Sequence, residues 1–196
     1  MFETLQGEST RRALLIAPFA LAGAAFVAMR RHSDSDTGAE AAGSEGEVSI
    51  VEFSDSGRNL GTMRVKKMVR SSGDWRKQLS AEQYYVTRLQ GTDVAFSGTY
   101  YQLHLNGLFR CICCDNAVFS SDAKFDSGTG WPSFWAPIAE QNVGTHSDFT
   151  MLIKRTEVHC IRCDAHLGHL FNDGPEPTNL RYCINESSLR FIPRPA

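Results

Sequence analysis

Hydrophobic and polar residues alternate in two short segments of this 196-residue chain, and such alternation is typical of β-strands. Residues 48–53 predict a first strand and residues 61–69 a second, with a turn at residues 54–57 between them. From Thr99 onward helical periodicity is absent, and short apolar or aromatic runs are separated by Gly, Asp, Asn and Pro. This pattern predicts a mainly β domain built from antiparallel strands.

Two short helices are predicted between the first strands and the β-rich region. Asp74 is the predicted N-cap of a helix that begins at Trp75. Ser80, with Gln83 three residues later, predicts a capping box at the start of the next helix.

The N-terminal residues have a different pattern from the rest of the chain. Residues 13–29 carry no charge and lie between two arginine pairs, at the short limit of the roughly 17–25 residues that a membrane-spanning helix needs. We expect residues 1–31 to be an uncleaved membrane anchor or a cleaved twin-arginine export signal, rather than a buried helix. Residues 32–47 predict a flexible linker, and residues 48–196 the folded domain. This segment predicts membrane contact and a membrane-anchored or exported bacterial protein, with a cytoplasmic protein as the alternative.

Charge and cysteine content narrow the class of protein. The chain has 20 basic and 22 acidic residues and no long basic run, so no nucleic-acid partner is expected. Six cysteines are too few for a disulfide scaffold of the small secreted type.

Four of the cysteines form two C-x-x-C pairs, which is the ligand spacing of a zinc knuckle. The pairs are Cys111 with Cys114 and Cys160 with Cys163. Together they predict one structural zinc ion that ties two distant hairpins together and contributes to folding. Two redox dithiols or chance spacing are the alternatives. Cys113, between two predicted ligands, is expected to be a non-essential thiol, with a redox role as the alternative.

Cys183 belongs to neither pair and is the candidate nucleophile. Arg181 and Asn185 lie two residues on either side, so all three side chains share one face if this stretch is a strand. A guanidinium beside the sulfur favours the reactive thiolate. His166 and His169 are candidate proton donors, and Asp173 is a candidate to orient one of them. Taken alone, a cysteine such as Cys183 is more often a buried core residue, and the histidines could be ordinary polar groups near the metal.

Three stretches closely resemble the methionine-R-sulfoxide reductases of the MsrB (SelR) family: residues 125–134, 163–171 and 181–191. Residues 75–84 resemble the N-terminal segment of that family. The likeness extends from about residue 70 to residue 192 and includes both C-x-x-C pairs.

The resemblance implies a fold of two antiparallel sheets in a barrel-like or tent-like arrangement, with short N-terminal helices and a structural zinc site. It implies reduction of the R epimer of methionine sulfoxide in proteins, through a cysteine nucleophile and a sulfenic acid, as repair of oxidative damage. It assigns the side chains as follows: Cys183 as the nucleophile; His166, His169, Asp173, Arg181 and Asn185 as its catalytic partners; Trp131, Phe134 and Phe171 as substrate contacts; and Cys111, Cys114, Cys160 and Cys163 as zinc ligands.

One position departs from the family pattern. Many members carry a second, resolving cysteine where this chain has Thr129. Because threonine cannot form a disulfide, we expect a one-cysteine variant whose sulfenic acid is reduced by thioredoxin, glutaredoxin or another thiol. Cys113 is the one spare thiol that could resolve it instead.

Two other functions compete with this interpretation. A zinc-stabilised binding module could share the fold without catalysis, since fold does not determine function. A dithiol oxidoreductase could use one C-x-x-C pair, but it would leave half a zinc site.

Overall fold

The structure, a computed structural model, describes residues 46–148 and 154–194. The predicted anchor or signal at residues 1–31 lies outside the described residues, as does most of the predicted linker. Within the described part of the chain, no helix is long and apolar enough to cross a membrane. The first described strand begins at Glu47.

The described residues are mainly β-structure, as the alternating pattern predicted. The strands are β1 (Glu47–Phe53), β2 (Asn59–Lys66), β3 (Gly107–Cys111), β4 (Ala117–Ser120), β5 (Lys124–Phe125), β6 (Ser133–Phe134), β7 (Val143–Asp148), β8 (Arg155–Cys160), β9 (His166–Phe171), β10 (Arg181–Ile184) and β11 (Leu189–Pro193).

Two short helices, α1 (Ser72–Gln78) and α2 (Ala81–Leu89), follow the first hairpin. The predicted capping box at α2 is confirmed, because Ser80 and Gln83 exchange side-chain and backbone hydrogen bonds. The predicted cap of α1 is wrong: Ser71 is the N-cap, and its hydroxyl accepts the Asp74 N–H. Asp74 lies in the first turn, where a carboxylate is favoured by the helix dipole.

All described strand pairs are antiparallel. Strands β5-β6-β10-β9-β8-β7 form a six-stranded sheet, and β11-β3-β4 form a three-stranded sheet. The β1–β2 hairpin is a separate sheet that the sequence did not distinguish from the other two. The predicted fold, mainly β with antiparallel sheets and short helices, is confirmed.

Aromatic side chains from the two larger sheets form the core between them. Phe134 of β6 stacks on Phe119 of β4, with ring centroids 4.5 Å apart, and its edge meets Phe109 of β3 at 5.0 Å. Leu167 and Ile184 are completely buried in the same cluster. Burial of a side chain of this size stabilises the fold by roughly 1.5–3 kcal/mol, so this cluster sets the position of the six-stranded sheet.

A β-bulge in β9 decides which side chains share a face of that sheet. On β8, Glu157 pairs with His169, and His159, two residues later, pairs with His166. Two steps along β8 therefore match three steps along β9, and Leu167 is the extra residue of the bulge. Residues three apart on a regular strand point to opposite faces. Because of the bulge, His166 and His169 instead lie together, with ring centroids 5.3 Å apart.

Candidate active site

A single cross-strand row brings the candidate nucleophile beside polar residues from four other strands. Directly paired positions run from His146 to Glu157, to His169, to Cys183 and to Ser133. Side chains at paired positions lie on the same face, with Cβ atoms about 4.5–5.5 Å apart. The register of the six-stranded sheet therefore sets His169 beside Cys183 and Glu157 beside His169.

The Cys183 thiol is influenced by a cation and a hydroxyl. Interactions with the side chains of Arg181 and Thr129 favour its thiolate form. Burial raises the pKa of the thiol above its ordinary value, and this effect outweighs the stabilisation of the thiolate by Arg181 and Thr129. The sequence predicted the neighbouring guanidinium but not the net direction, because burial depends on the packing of the whole sheet.

Asp173 holds Arg181 in place rather than orienting a histidine. The Arg181 guanidinium donates from Nε and Nη2 to the two Asp173 oxygens, at 2.8 and 2.9 Å. The same guanidinium lies over the Phe171 ring, 4.3 Å from its centroid. These contacts fix the guanidinium beside the sulfur, and they lower the pKa of Asp173. The prediction that Asp173 orients a histidine is thereby corrected.

His169 is held by Asp148, at the end of β7. Its Nε2 lies 2.8 Å from the Asp148 carboxylate, which can only accept, so Nε2 carries the hydrogen. Arg155 bonds the same carboxylate at 2.7 Å. Burial lowers the pKa of His169 more than the bond to Asp148 raises it, which favours the neutral ring. A neutral ring with its hydrogen on Nε2 has its lone pair on Nδ1.

His166 lies behind His169 and is bound to a buried carboxylate. Its Nδ1 lies 2.6 Å from Oε1 of Glu157, whose side chain is 4% exposed. The other Glu157 oxygen contacts His146 and accepts from Gln90, the C-cap residue after α2. Burial opposes ionisation of Glu157, but the hydrogen bond and charge of His166 prevail and lower its pKa. Among the described residues, Nε2 of His166 has no hydrogen-bond partner.

A cavity of about 160 Å³ opens onto Cys183. Its lining residues are Thr92, Trp131, Arg155, Gly168, His169, Phe171, Cys183 and Asn185. The predicted residues Cys183, His169, Asn185, Trp131 and Phe171 are thus brought together, whereas His166, Asp173 and Arg181 lie outside the lining and act on it through neighbours. A larger groove of about 490 Å³ is an open surface on α1, lined by Arg70, Asp74, Lys77 and Gln78, and holds none of these groups.

Asn185 and Trp131, both in the cavity wall, form hydrogen bonds with the backbone of Asp93, which lies in the loop after α2. The Asn185 amide accepts the Asp93 N–H at 2.9 Å and donates to the Leu167 carbonyl at 3.2 Å. The Trp131 indole N–H donates to the Asp93 carbonyl at 3.0 Å. With its N–H satisfied, the indole offers an apolar face to the cavity.

Phe134 is in the core and not in the cavity. Its side chain is completely buried between Phe109 and Phe119. Adjacent residues of a strand point to opposite faces, so Phe134 faces away from its neighbour Ser133, which pairs with Cys183. This corrects the assignment of Phe134 as a substrate contact.

The four predicted metal ligands form one buried cluster. Their sulfur atoms all lie within 4.8 Å of one another. The Cys111 and Cys163 sulfurs are 3.7 Å apart, and those of Cys114 and Cys160 are 3.5 Å apart. A disulfide needs about 2.05 Å, whereas tetrahedral thiolates around zinc at about 2.3 Å are roughly 3.8 Å apart. The donor set therefore fits a metal ion and does not fit disulfides.

The two C-x-x-C turns have the same local structure. In each, the N–H of the residue after the second cysteine, Asp115 or Asp164, bonds the carbonyl of the first cysteine at 2.9 Å. Both aspartates have positive φ angles, 65° and 54°, which close the turn. One turn joins β3 to β4 and the other joins β8 to β9, so the cluster links the two larger sheets.

Cys113 is buried, with 3% of its surface exposed, inside the first turn. It is not one of the clustered ligands. A role in resolving a sulfenic acid at Cys183 would require this turn to open.

Comparison with known proteins identifies the family. The SelR domain profile matches residues 79–193. A peptide methionine sulfoxide reductase MsrB of Hahella chejuensis is 50% identical over 125 residues, covering 64% of this chain and 90% of the relative. The MsrB of Pseudomonas aeruginosa is 49% identical over 130 residues, which cover 66% of this chain and 98% of the relative. The MsrB of Thiobacillus denitrificans is 53% identical over 125 residues, which cover 64% of this chain and 95% of the relative. The chain belongs to the SelR family.

The SelR match contains the whole cross-strand row, the cavity and the four-cysteine cluster.

Sequence reasoning did not find several residues that complete the site: Thr92, Asp93, Asp148, Arg155, Glu157, Ser127 and Ser133. Ser127 links the hydroxyl groups of Thr129 and Ser133, at 2.8 and 2.7 Å. Strand pairing could have suggested Glu157, but only with the register and the bulge already known.

Replacing Arg181 by methionine is expected to raise the pKa of the Cys183 thiol further. The guanidinium charge and hydrogen bond oppose the effect of burial, so their loss leaves the thiolate less stable. The alkylation rate of Cys183 with iodoacetamide, followed by peptide mapping from pH 6 to pH 11, should then rise at higher pH than in the parent chain. Arg64→Met, on exposed β2, is the control and should leave the profile unchanged; an unchanged profile for Arg181→Met would remove Arg181 from this role.

Proposed function

We propose that the chain is an oxidoreductase that reduces the R epimer of methionine sulfoxide in proteins to methionine. The observation that carries this function is the Cys183 thiol in the wall of a small cavity whose other walls include Trp131, Phe171 and His169. The MsrB names of relatives about 50% identical across nearly their full length support the same activity. The proposed role is repair of methionine residues that have been oxidised.

The walls of the cavity suit the three substituents of the sulfoxide sulfur. Trp131 and Phe171 offer apolar surface for the methyl group, and His169 and Asn185 are polar groups near the oxygen. The rest of the methionine sulfoxide side chain must pass through the opening of the cavity to reach the substrate backbone. With these three directions assigned, only one epimer presents the sulfur to Cys183, which gives the site a basis for selectivity.

The proposed reaction moves one oxygen atom from methionine sulfoxide to Cys183. The Cys183 sulfur attacks the sulfoxide sulfur and forms a transient S–S bond. As the oxygen passes to Cys183, an S–O bond forms there, the S–O and S–S bonds to the methionine sulfur break, and the methionine sulfur keeps an electron pair. The thiol proton is retained overall, so the products are methionine and a cysteine sulfenic acid. Cys183 is oxidised and methionine is reduced, and no other reactant is needed in this half of the cycle.

The sulfoxide oxygen must gain a proton before its bond to sulfur breaks easily. Since the pKa of Cys183 is raised, its side chain is a thiol before the substrate binds. The thiol proton is the one that the sulfoxide oxygen needs. The neutral His169 ring, paired with Cys183 across β9 and β10, can accept that proton and pass it on, directly or through water. His166 and Glu157 support the ring from behind.

The four-cysteine cluster is proposed to bind zinc as a structural ion. Four thiolates complete a tetrahedral shell and leave no open position for substrate. Bound there, zinc would supply no chemistry to the sulfoxide and would hold the two larger sheets together.

The sulfenic acid is proposed to be recycled without a resolving cysteine. A thiol such as thioredoxin, glutaredoxin or a small-molecule thiol would attack Cys183, release water and form a mixed disulfide, which a second thiol would reduce. Thr129 stands where a resolving cysteine would be, and its side chain favours the Cys183 thiolate.

Replacing Thr129 by cysteine is expected to create a disulfide partner for Cys183. The Thr129 side chain is near enough to Cys183 to favour its thiolate, so we expect a thiol at this position to attack the sulfenic acid. After one turnover without reductant, mass spectrometry should find a 129–183 disulfide, and turnover with thioredoxin should increase. Thr145→Cys, exposed on β7, is the control and should form none; absence of the 129–183 disulfide would refute the proposed proximity.

Turnover of separate sulfoxide epimers tests the proposed function. The full chain would be incubated with a model peptide containing the R or the S epimer and with dithiothreitol. Reduction of the R epimer alone is expected. A folded, metal-loaded chain that reduces neither epimer would favour a zinc-stabilised binding module, and equal reduction of both would refute selectivity.

The location of the chain is a separate proposal. The apolar run at residues 13–29, with its flanking arginine pairs, is the reason to propose an anchor or export signal. Separation of cytoplasmic, periplasmic and membrane fractions from bacterial cells that express the full chain or a chain lacking residues 1–31 tests this. Presence of both chains in the cytoplasmic fraction alone would refute it.

A further inference from the structure

The cavity is too small to hold more than one side chain of a protein substrate. Its volume of about 160 Å³ is well below the roughly 300–1,000 Å³ of cavities that enclose a whole small-molecule ligand. If the proposed function is right, the residues before and after the oxidised methionine must therefore lie outside the mouth. The surface that they meet there is part of the substrate site.

One loop runs from the cavity wall to the outside. Thr92 lines the cavity. The second and fourth residues after it are exposed: Val94 by 76% and Phe96 by 57%. The only charged residue between 91 and 99 is Asp93, which is buried. The loop thus exposes no charge, and Val94 and Phe96 are its exposed apolar residues, beside the exposed polar residues Thr92, Ser97 and Thr99.

The loop is fastened to the catalytic wall by its backbone and by Asp93. As well as its bonds to Asn185 and Trp131, Asp93 accepts the Ser187 N–H at 2.9 Å. The Phe96 N–H donates to the Gly130 carbonyl, next to Trp131, at 3.0 Å. Val94 and Phe96 are therefore held in a fixed position relative to the cavity.

Phe96 is kept exposed in a backbone conformation that is unfavourable for an aromatic residue. Its φ angle is 63°, and bulky residues rarely adopt positive φ. Its ring meets the edge of Tyr101, with centroids 5.4 Å apart, and a Cβ atom at Gly130 would come within 2.7 Å of the Phe96 nitrogen. Strained positions of this kind are concentrated at functional sites, where the surrounding structure enforces them.

We propose that Val94 and Phe96 are a docking surface for the polypeptide on either side of the oxidised methionine, and that they favour apolar neighbours. Methionine is common in cores, and its oxidation disrupts them, so the exposed segment carries other apolar residues. A rigid exposed aromatic beside a binding cavity is the kind of residue that contributes most to recognition.

The test uses the double variant Val94→Ser with Phe96→Asn, since asparagine tolerates positive φ. Three R-sulfoxide substrates are compared: a pentapeptide with leucine and phenylalanine beside the oxidised methionine, the same peptide with serine at both places, and N-acetyl-methionine sulfoxide. We expect KM for the apolar peptide to rise roughly tenfold, the scale of losing an aromatic anchor. KM and kcat for N-acetyl-methionine sulfoxide should stay unchanged. Leu60→Thr, 47% exposed on the separate hairpin, is the control and should change none of the three.

Two results would overturn the docking surface. An unchanged KM for the apolar peptide would show that the loop does not contact it, and an equal loss for all three substrates would show that the loop only supports the cavity wall. Binding of the fluorescently labelled apolar peptide to Cys183→Ser, with and without the loop changes, needs no turnover. Equal affinities of Cys183→Ser with and without the loop changes would mean that the docking surface is wrong. Binding of the peptide without any activity in the parent chain would mean that the proposed reduction is wrong.

Discussion

Replacing Cys183 by serine should abolish sulfoxide reduction while the domain stays folded and keeps its metal. The serine hydroxyl is a poor nucleophile here and cannot take up the oxygen as a sulfenic acid. Loss of a catalytic nucleophile typically lowers kcat by on the order of 10³–10⁶. The change is nearly isosteric and lies outside the metal cluster, so circular dichroism and zinc content should match those of the parent chain.

Cys113→Ser is the matched control for this loss. Cys113 is the one other cysteine outside the four-cysteine cluster, and it is buried in the first C-x-x-C turn. It should retain turnover with dithiothreitol. Substantial activity in Cys183→Ser would place the nucleophile elsewhere, and a large loss of activity in a folded Cys113→Ser chain would restore Cys113 as a resolving thiol.

Replacing Cys111 by serine should release the metal and unfold the domain. The cluster links the three-stranded sheet to the six-stranded sheet, so the binding energy of a metal ion held there would be part of the folding energy. Structural zinc contributes about 10–16 kcal/mol in zinc-finger peptides, and a typical domain is stable by only about 5–15 kcal/mol. Loss of one of four ligands can therefore remove most of the net stability.

Zinc content and thermal unfolding measure this second effect. The parent chain should contain one zinc ion per chain and unfold cooperatively, whereas Cys111→Ser should contain little zinc and show no cooperative transition. Cys113→Ser changes a cysteine in the same turn that is not a ligand, and should behave like the parent chain. A stable Cys111→Ser chain with full zinc content would contradict a four-cysteine structural site.

Local sequence patterns predicted the parts of the site that depend on spacing along the chain. Two C-x-x-C pairs predicted the cluster, and strand alternation placed Arg181 and Cys183 on one face. The capping box at Ser80 was predicted for the same reason, since its partners are three residues apart. The cap of α1 was misplaced because Ser71 and Asp74 are both suitable residues, and only the backbone geometry decides between them.

Features that depend on strand pairing could not be predicted from local pattern. The bulge at Leu167 brings His166 and His169 together, and pairing across β8 sets Glu157 beside them. Asp173 and Phe134 were assigned from motifs alone. In the structure Asp173 binds Arg181 and Phe134 fills the core, because side-chain direction follows from sheet register.

The raised pKa of Cys183 is also a product of packing rather than of sequence. A neighbouring arginine favours the thiolate, but burial within the sheet has the larger effect. The thiolate fraction should therefore be small at neutral pH and should increase as the pH rises toward the pKa. Protonation until the sulfoxide binds would also keep the thiol less reactive toward other oxidants.

A single turnover without reductant tests the central claim most directly. The full chain would be mixed with an excess of the R-sulfoxide peptide and no thiol, then treated with dimedone to trap sulfenic acid. We expect one methionine formed per chain and one dimedone adduct, located on Cys183 by peptide mapping. Methionine formed without an adduct or disulfide at Cys183, or an adduct on another cysteine, would show that Cys183 is not the nucleophile.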